Sequence, residues 1–228
     1  MTTAHIVAHR STSELLAIIE NQQAIIEENK AEIAELSMSH LGILAPAAIR
    51  RALRLMTDPC DLICIDLRKM HDLNAVLGYD VTNMYFGIFA RTRTHDDPFI
   101  AARSRDVRGQ WGGDEVVIAC APGDGQGLLM RLIAALDKLT AALTPAQRHS
   151  LAMRTGNLVD GWAAVFVLIP NTTDPYHREW IGDTWVDAGD VKRGVNECGK
   201  LKEGNITGSR STSGRPGTII GTLAPLAQ

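Results

Sequence analysis

Gln110-Trp111-Gly112-Gly113-Asp114-Glu115-Val116 is the stretch from which the rest of the chain is read. Two adjacent glycines are followed at once by two carboxylates. Apolar residues continue from Val116 through Cys120, and another apolar run, Phe99 to Ala102, lies upstream. Two β-rich runs about a Gly-Gly step predict a hairpin. Its turn would hold Asp114 and Glu115 at the lip of a sheet, where a divalent cation can sit between carboxylates and a phosphate. An isolated turn of this kind is also met as an ordinary polar hairpin, so the surroundings decide.

Upstream, Asp61-Leu62-Ile63-Cys64-Ile65-Asp66-Leu67 reads as a buried strand with Asp66 near its end. A carboxylate there is costly unless a cation or donor meets it. Lys69 to Arg93 reads as a long helix interrupted at Gly78, and His95-Asp96-Asp97-Pro98 as a turn. Phe99 to Ser104 is then the second strand and Val116 to Ala121 the third. Gly123 to Gly127 is glycine-rich but lacks the Lys-Ser/Thr of a phosphate loop, so it reads as a loop feeding the amphipathic helix Leu128 to Leu143. Thr144 to Asp160 reads as a polar connection and Gly161 to Ile169 as the fourth strand. Pro170 to Asp183 reads as a loop, and Trp185 to Lys202 as a helix despite three glycines. A turn-rich loop, Ser209 to Pro216, leads to a last strand, Gly217 to Leu223. The order β-α-β-β-α-β-α-β places the chain in the α+β class, with a mostly antiparallel central sheet flanked by helices. Such a sheet sets Asp66 beside the turn that carries Asp114 and Glu115. Three clustered carboxylates suit two-metal nucleotidyl transfer.

Residues 1–10 show no periodicity. Ser11-Thr12-Ser13-Glu14 is a capping box. Leu15, Ile19, Gln22, Ile26, Asn29, Ile33 and Leu36 then form a heptad seam with two polar members. Polar seam residues fix register and strand number at some cost in stability. Residues 1–38 are therefore expected to form a coiled-coil dimerisation stalk, and residues 39–228 the catalytic domain, whose first helix starts at Pro46.

The net charge is -3, which argues against a non-specific grip on nucleic acid or on a membrane surface. None of the four cysteines forms a two-residue-spaced pair. No apolar run is long enough to span a bilayer, and the N-terminus lacks a signal pattern. These features predict a cytoplasmic protein with no membrane or nucleic-acid partner.

With these residues in place, the sequence resembles the GGDEF family, the diguanylate cyclases. Gly112-Gly113-Asp114-Glu115 matches the signature, with Val116 in place of the usual Phe. Arg103-Ser104-Arg105-Asp106 resembles the family's product-inhibition site. Ile65-Asp66-Leu67, then Asn74 and Gly78, resembles its strand-helix segment. The resemblance runs from about Ser39 to the C-terminus.

It implies a palm-like fold that joins two GTP molecules into cyclic di-GMP, with Mg2+ (or Mn2+) and a homodimer through the N-terminal helix. By resemblance, Asp66, the Leu67 carbonyl and Asp114 would ligate the metal. Glu115 would bind metal or accept the 3′-hydroxyl proton. Gly112 and Gly113 would let the backbone approach the phosphates, and Asn74 would hold the nucleoside. Arg103 and Asp106 would bind cyclic di-GMP, product and inhibitor, on the outer face.

The sequence departs from the family at several positions. Met70-His71 stands where Phe-Lys is usual, which leaves His71 as a phosphate contact. Tyr79 stands for a His, and Pro46 and Ala47 for Asn and Arg. Asn83 stands for the Asp that reads guanine, and an amide can both accept and donate, which admits ATP or mixed purines. The closing motif is echoed only by Gly199-Lys200 and Gly204-Asn205, so Lys200, then Lys202, would grip the triphosphate. The rival readings are a sensor that binds cyclic di-GMP or GTP without turnover, and an interaction module using only the coil.

Overall fold

The computed structural model describes residues 16, 18–23, 38–39, 42–90, 105–203, 209–212 and 218–226. The chain falls into two compact units, Met1–Ser37 and Met38–Gln228. In the first, residues 18–23 are helical, with Ile19 exposed. The capping box and the seam beyond Gln22 lie outside the described residues.

The second unit is built on a six-stranded sheet. Its strands are β1 (Cys60–Leu67), β2 (Val107–Gln110), β3 (Glu115–Cys120), β4 (Ala164–Thr172), β7 (Ser209–Thr212) and β8 (Ile219–Thr222). They lie in the order β2-β3-β1-β4-β8-β7. Every pairing is antiparallel except β4 with β8. A separate antiparallel hairpin joins β5 (His177–Ile181) to β6 (Thr184–Ala188). The helices are α1 (Pro46–Arg54), α2 (Met70–Leu77), α3 (Tyr79–Ala90), α4 (Gly125–Ala141), α5 (Pro145–Arg154) and α6 (Asp190–Glu203). The α+β class and the mostly antiparallel sheet are as the sequence implied.

Strand alternation assigns the two faces. Ile63, Ile65 and Leu67 of β1 pack with Ile118 of β3 and with Leu73, Leu132 and Leu151 from α2, α4 and α5. Leu62 and Cys64 pack with Val117 of β3 and with Ile49, Leu53, Val195 and Cys198 from α1 and α6. Asp66 is in phase with Leu62 and Cys64, and Glu115 with Val117. The period of two therefore aims both carboxylates at the face covered by α1 and α6.

Several boundaries differ from the sequence reading, each for a physical reason. The partner of β3 is Val107–Gln110. Phe99 to Ser104 lies outside the described residues. β2 is an edge strand, so Val107-Arg108-Gly109-Gln110 needs no apolar run. Thr144 to Asp160 contains α5, opened by a Thr144–Gln147 capping box behind Pro145. The loop read over Pro170 to Asp183 includes β5. Trp185 lies on β6 and not on a helix, and α6 begins only at Asp190. Ser209–Thr212 is strand β7, not loop. Gly78, at φ +87°, splits the expected long helix into α2 and α3.

Two buried contacts fix elements beneath the site. A Cβ on Gly194 would stand 2.5 Å from Cys64 Sγ, so α6 lies directly against β1. Asp61 Oδ2 accepts from the Gly123 and Gly125 amides at 2.9 and 2.8 Å, and its Oδ1 from Asn171 at 2.8 Å. The glycine-rich segment is thus committed to a carboxylate of its own chain, as expected of a loop and not of a phosphate cradle.

Candidate active site

The register of β1 and β3 pairs Asp66 with Glu115. The turn between β2 and β3 closes through Trp111 N–H donating to the Glu115 carbonyl at 2.9 Å and the Gln110 side-chain amide donating to the Gly113 carbonyl at 3.1 Å. Leu67 N–H donates to the Asp114 carbonyl at 3.2 Å. That bond ties the turn to the end of β1, so Asp66, Leu67, Asp114 and Glu115 arrive together.

A cation from the chain itself meets them. Lys202 Nζ, near the end of α6, donates to Asp66 Oδ1 at 2.6 Å and to Asp114 Oδ2 at 3.2 Å. Among the described residues, no three His, Cys, Asp or Glu side chains stand close enough to share a metal ion. Lys202 is held between two of the carboxylates. Glu115 folds back over the turn, so that a Cβ on Gly112 would lie 2.3 Å from its Oε2. That oxygen is the far end of a flexible side chain, so a Cβ at Gly112 would displace Glu115 and not the backbone. Gly113 is exposed, and a Cβ there would meet nothing within 4 Å.

The electrostatics follow from burial and mutual repulsion. Asp66 is only 4% exposed, and burial pushes its carboxyl up. Lys202 pulls it back in part, and the charge of Asp114 adds to the rise. Glu115 is raised by burial, then by Asp66 and Asp114. Burial pulls Lys202 down, but its bond to Asp66 and the two negative charges outweigh this and raise it. The upward shifts of Asp66 and Lys202 are compatible: the ion pair favours both charged forms, and only for Asp66 does desolvation win.

A cavity of about 490 Å3 opens beside Glu115. Trp111, Lys192, Asn196 and Lys200 line it with Glu115. Sequence reasoning missed Trp111, Lys192 and Asn196. The last two lie with Lys200 at helical spacing on α6, and that spacing was readable. Lys200 is exposed and pairs with Glu197 at 3.5 Å.

The other expected residues are more scattered. His71 is exposed on α2, and Asn83 is half-buried on α3. Asn74, on α2, has a buried Oδ1 with no hydrogen-bond partner among the described residues. Neither asparagine bonds to the carboxylates. Arg103 lies outside the described residues. Asp106 is 5% exposed, buried rather than displayed on an outer face as expected.

The fold is similar to that of a solved diguanylate cyclase. The diguanylate cyclase SiaD from Pseudomonas aeruginosa, solved with its activator SiaC, matches with a TM-score of 0.51 at 16% identity, covering 91% of this chain and 71% of SiaD. The coiled coil and GGDEF domain of DgcB from Caulobacter crescentus, solved with c-di-GMP, matches with a TM-score of 0.49 at 10% identity, covering 90% of this chain and 98% of that one. No family model and no curated protein sequence matches the chain. Among the described residues, no helix is long and apolar enough to cross a membrane.

Proposed function

We propose that the chain is a GGDEF-type cyclic dinucleotide synthase that condenses two GTP into cyclic di-GMP and pyrophosphate. The observation that carries this reading is the convergence of Asp66 and Asp114 on one ammonium, with Glu115 paired to Asp66 across the sheet. A site that already holds a cation between two hard carboxylate oxygens has the donor chemistry for Mg2+ or Mn2+.

Asp66 and Asp114, which already share one ammonium, would hold such a metal in place of Lys202, with Glu115 and the Leu67 carbonyl drawn in around it. When bound, the metal would supply Lewis acidity at the α-phosphate and a more acidic 3′-hydroxyl. The chain's own groups do the remaining work. Glu115 accepts the proton of the attacking 3′-hydroxyl. Lys192 and Lys200 meet the triphosphate in the cavity beside Glu115. Lys202, released from Asp66 and Asp114, adds its charge to the phosphates. Asn74 offers its unpartnered Oδ1 to a base N–H, and Asn83 reads the other edge. Each domain supplies half a reaction centre, so two must face one another. The N-terminal helix raises their effective concentration by pairing two chains.

The second reading, a nucleotide-binding domain without turnover, is favoured by the lysine lodged between the carboxylates. Incubation with Mg2+ and labelled GTP, ATP or both, followed by mass analysis, separates the readings. Cyclic di-GMP from GTP alone supports the proposal. A product containing adenine reassigns the base choice to Asn83. Nucleotide binding with no cyclic product, unchanged by Glu115→Gln, establishes the second reading.

A further inference from the structure

A second concave surface lies away from the carboxylates, between α1 and the β5–β6 hairpin. It encloses about 280 Å3 and is lined by Arg50, Arg51, Arg54, Tyr176, Arg178 and Asp187. Four guanidinium groups face one space in a chain whose net charge is -3. Guanidinium stays charged at any physiological pH.

The single carboxylate in the wall is already engaged on both oxygens. Asp187 Oδ2 accepts from Arg50 Nε at 3.0 Å, and Oδ1 from the Tyr176 hydroxyl at 2.7 Å. Arg50 is held further by the Pro46 carbonyl at 3.0 Å and by the Trp111 ring, 4.2 Å below its Cζ. Arg178 is anchored by donating to the Trp185 carbonyl at 3.2 Å. The Arg51 and Arg54 side chains make no hydrogen bond or ion pair with any described residue. A basic helix face open to bulk water is the ordinary outcome for such residues. Here they also rim a cavity whose back wall is tied together by the Arg50–Asp187–Tyr176 contacts, and whose one lining carboxylate is engaged on both oxygens.

We propose that this cavity is a binding site for a small, multiply charged phosphate anion, held by Arg51, Arg54 and Arg178 against the Arg50–Asp187–Tyr176 wall. Guanidinium forks match phosphate oxygens bidentately, and several forks on one small volume favour a multiply charged ligand over a single carboxylate. A cavity at the low end of ligand-pocket volumes, roughly 300–1,000 Å3, suits a pyrophosphate-sized group and is too small to enclose a dinucleotide. The phosphate can be inorganic or the tail of a nucleotide.

Isothermal titration of the full chain with pyrophosphate, and separately with ATP in the absence of divalent cations, tests the site. Arg51→Ala/Arg54→Ala is expected to weaken pyrophosphate binding at least about ten-fold. Arg51→Lys/Arg54→Lys keeps the charge but not the fork, and is expected to weaken it less. Arg148→Ala, on α5 and outside both this cavity and the one beside Glu115, also removes a guanidinium and is expected to leave it unchanged. Equal affinity for the two ligands marks the site as an inorganic-phosphate site, and tighter ATP binding through the same arginines marks a nucleotide tail. The proposal is overturned if the native chain binds neither ligand saturably. It is also overturned if folded Arg51→Ala/Arg54→Ala binds within about two-fold of the native chain, or if Arg148→Ala weakens binding as much as that variant does.

Discussion

Lys202 Nζ stands 2.6 Å from Asp66 Oδ1, which joins the last turn of α6 to the end of β1. The same ammonium reaches Asp114, so one lysine balances part of the charge that the proposed reaction assigns to a divalent cation. Lysine and cation therefore compete for the same oxygens. Lys202→Met leaves two carboxylates facing each other without a counter-charge. It is expected to cost about 1–3 kcal/mol without divalent cations. Mg2+ or Mn2+ should then raise the melting temperature of the variant more than that of the native chain, because ligand binding to the folded state stabilises by mass action. Thermal unfolding with and without the cation measures this. An equal cation effect on both proteins contradicts it.

The two glycines of the turn are expected to behave differently. A Cβ at Gly112 meets Glu115 Oε2 at 2.3 Å, whereas at Gly113 it meets nothing within 4 Å. Neither glycine has the positive φ that would strain a side chain. Gly113→Ala is therefore expected to leave stability within about 0.5 kcal/mol. Gly112→Ala should fold but drive the Glu115 side chain out of place, lowering nucleotide turnover at least about ten-fold if Glu115 acts as proposed. Melting temperatures and turnover rates of the two variants distinguish these outcomes.

The position of Lys202 depends on how closely α6 lies on β1. Gly194→Ala places a methyl 2.5 Å from Cys64 Sγ, both groups being buried. Overpacking of this kind is expected to destabilise by about 1–3 kcal/mol. Removing the sulfur with Cys64→Ala should restore part of that loss, so the double variant is expected to be more stable than the sum of the singles. Denaturant midpoints of the four proteins supply the cycle, and simple additivity would argue against direct contact.

Much of this architecture was legible in the chain. Within β1, Leu62 to Ile65 is an apolar run that leads into Asp66, and Gly112-Gly113-Asp114-Glu115 announced the turn. What escaped had weak local signals or distant partners. β2 is an edge strand with Gly109 and Gln110 where a central strand would carry branched residues, so the apolar Phe99 to Ala102 drew the reading away from it. The β5–β6 hairpin carries its tryptophans on an exposed surface, which imitates a mixed apolar pattern. It turns at Gly182-Asp183 just where a loop was expected. The capping box at Thr144 and Gln147, behind Pro145, is a local signal for α5, but the helix it opens is mostly polar and carries little apolar periodicity. The contact of Lys202 with Asp66 spans 136 residues, and no local pattern encodes it.

His177 offers a pH-dependent contribution to that hairpin. Its ring is held by Glu179 at 3.0 Å on Nε2 and by Asp174 at 3.0 Å on Nδ1. Those two bonds raise its pKa above the ordinary 6.5. A group whose folded pKa lies above its unfolded value adds stability that is fully present below the unfolded pKa and is lost as pH rises through the folded one. The melting temperature of the native chain should thus exceed that of His177→Gln on the acid side of neutrality, with the gap closing as pH rises. The ring is 38% exposed, so the effect is small and should shrink in salt. A gap that widens with pH would have the wrong sign.

The central claim is that Asp66, Asp114 and Glu115 form the metal-dependent half of a nucleotidyl cyclase centre. The most direct measurement is the yield of cyclic dinucleotide from GTP and Mg2+ by the native chain and by Asp114→Asn, an isosteric change that removes one charge. The account predicts cyclic di-GMP from the native chain, and a loss of at least about 100-fold in the folded variant. Equal yields from the two proteins, or no cyclic product from GTP, ATP or their mixture, would contradict it.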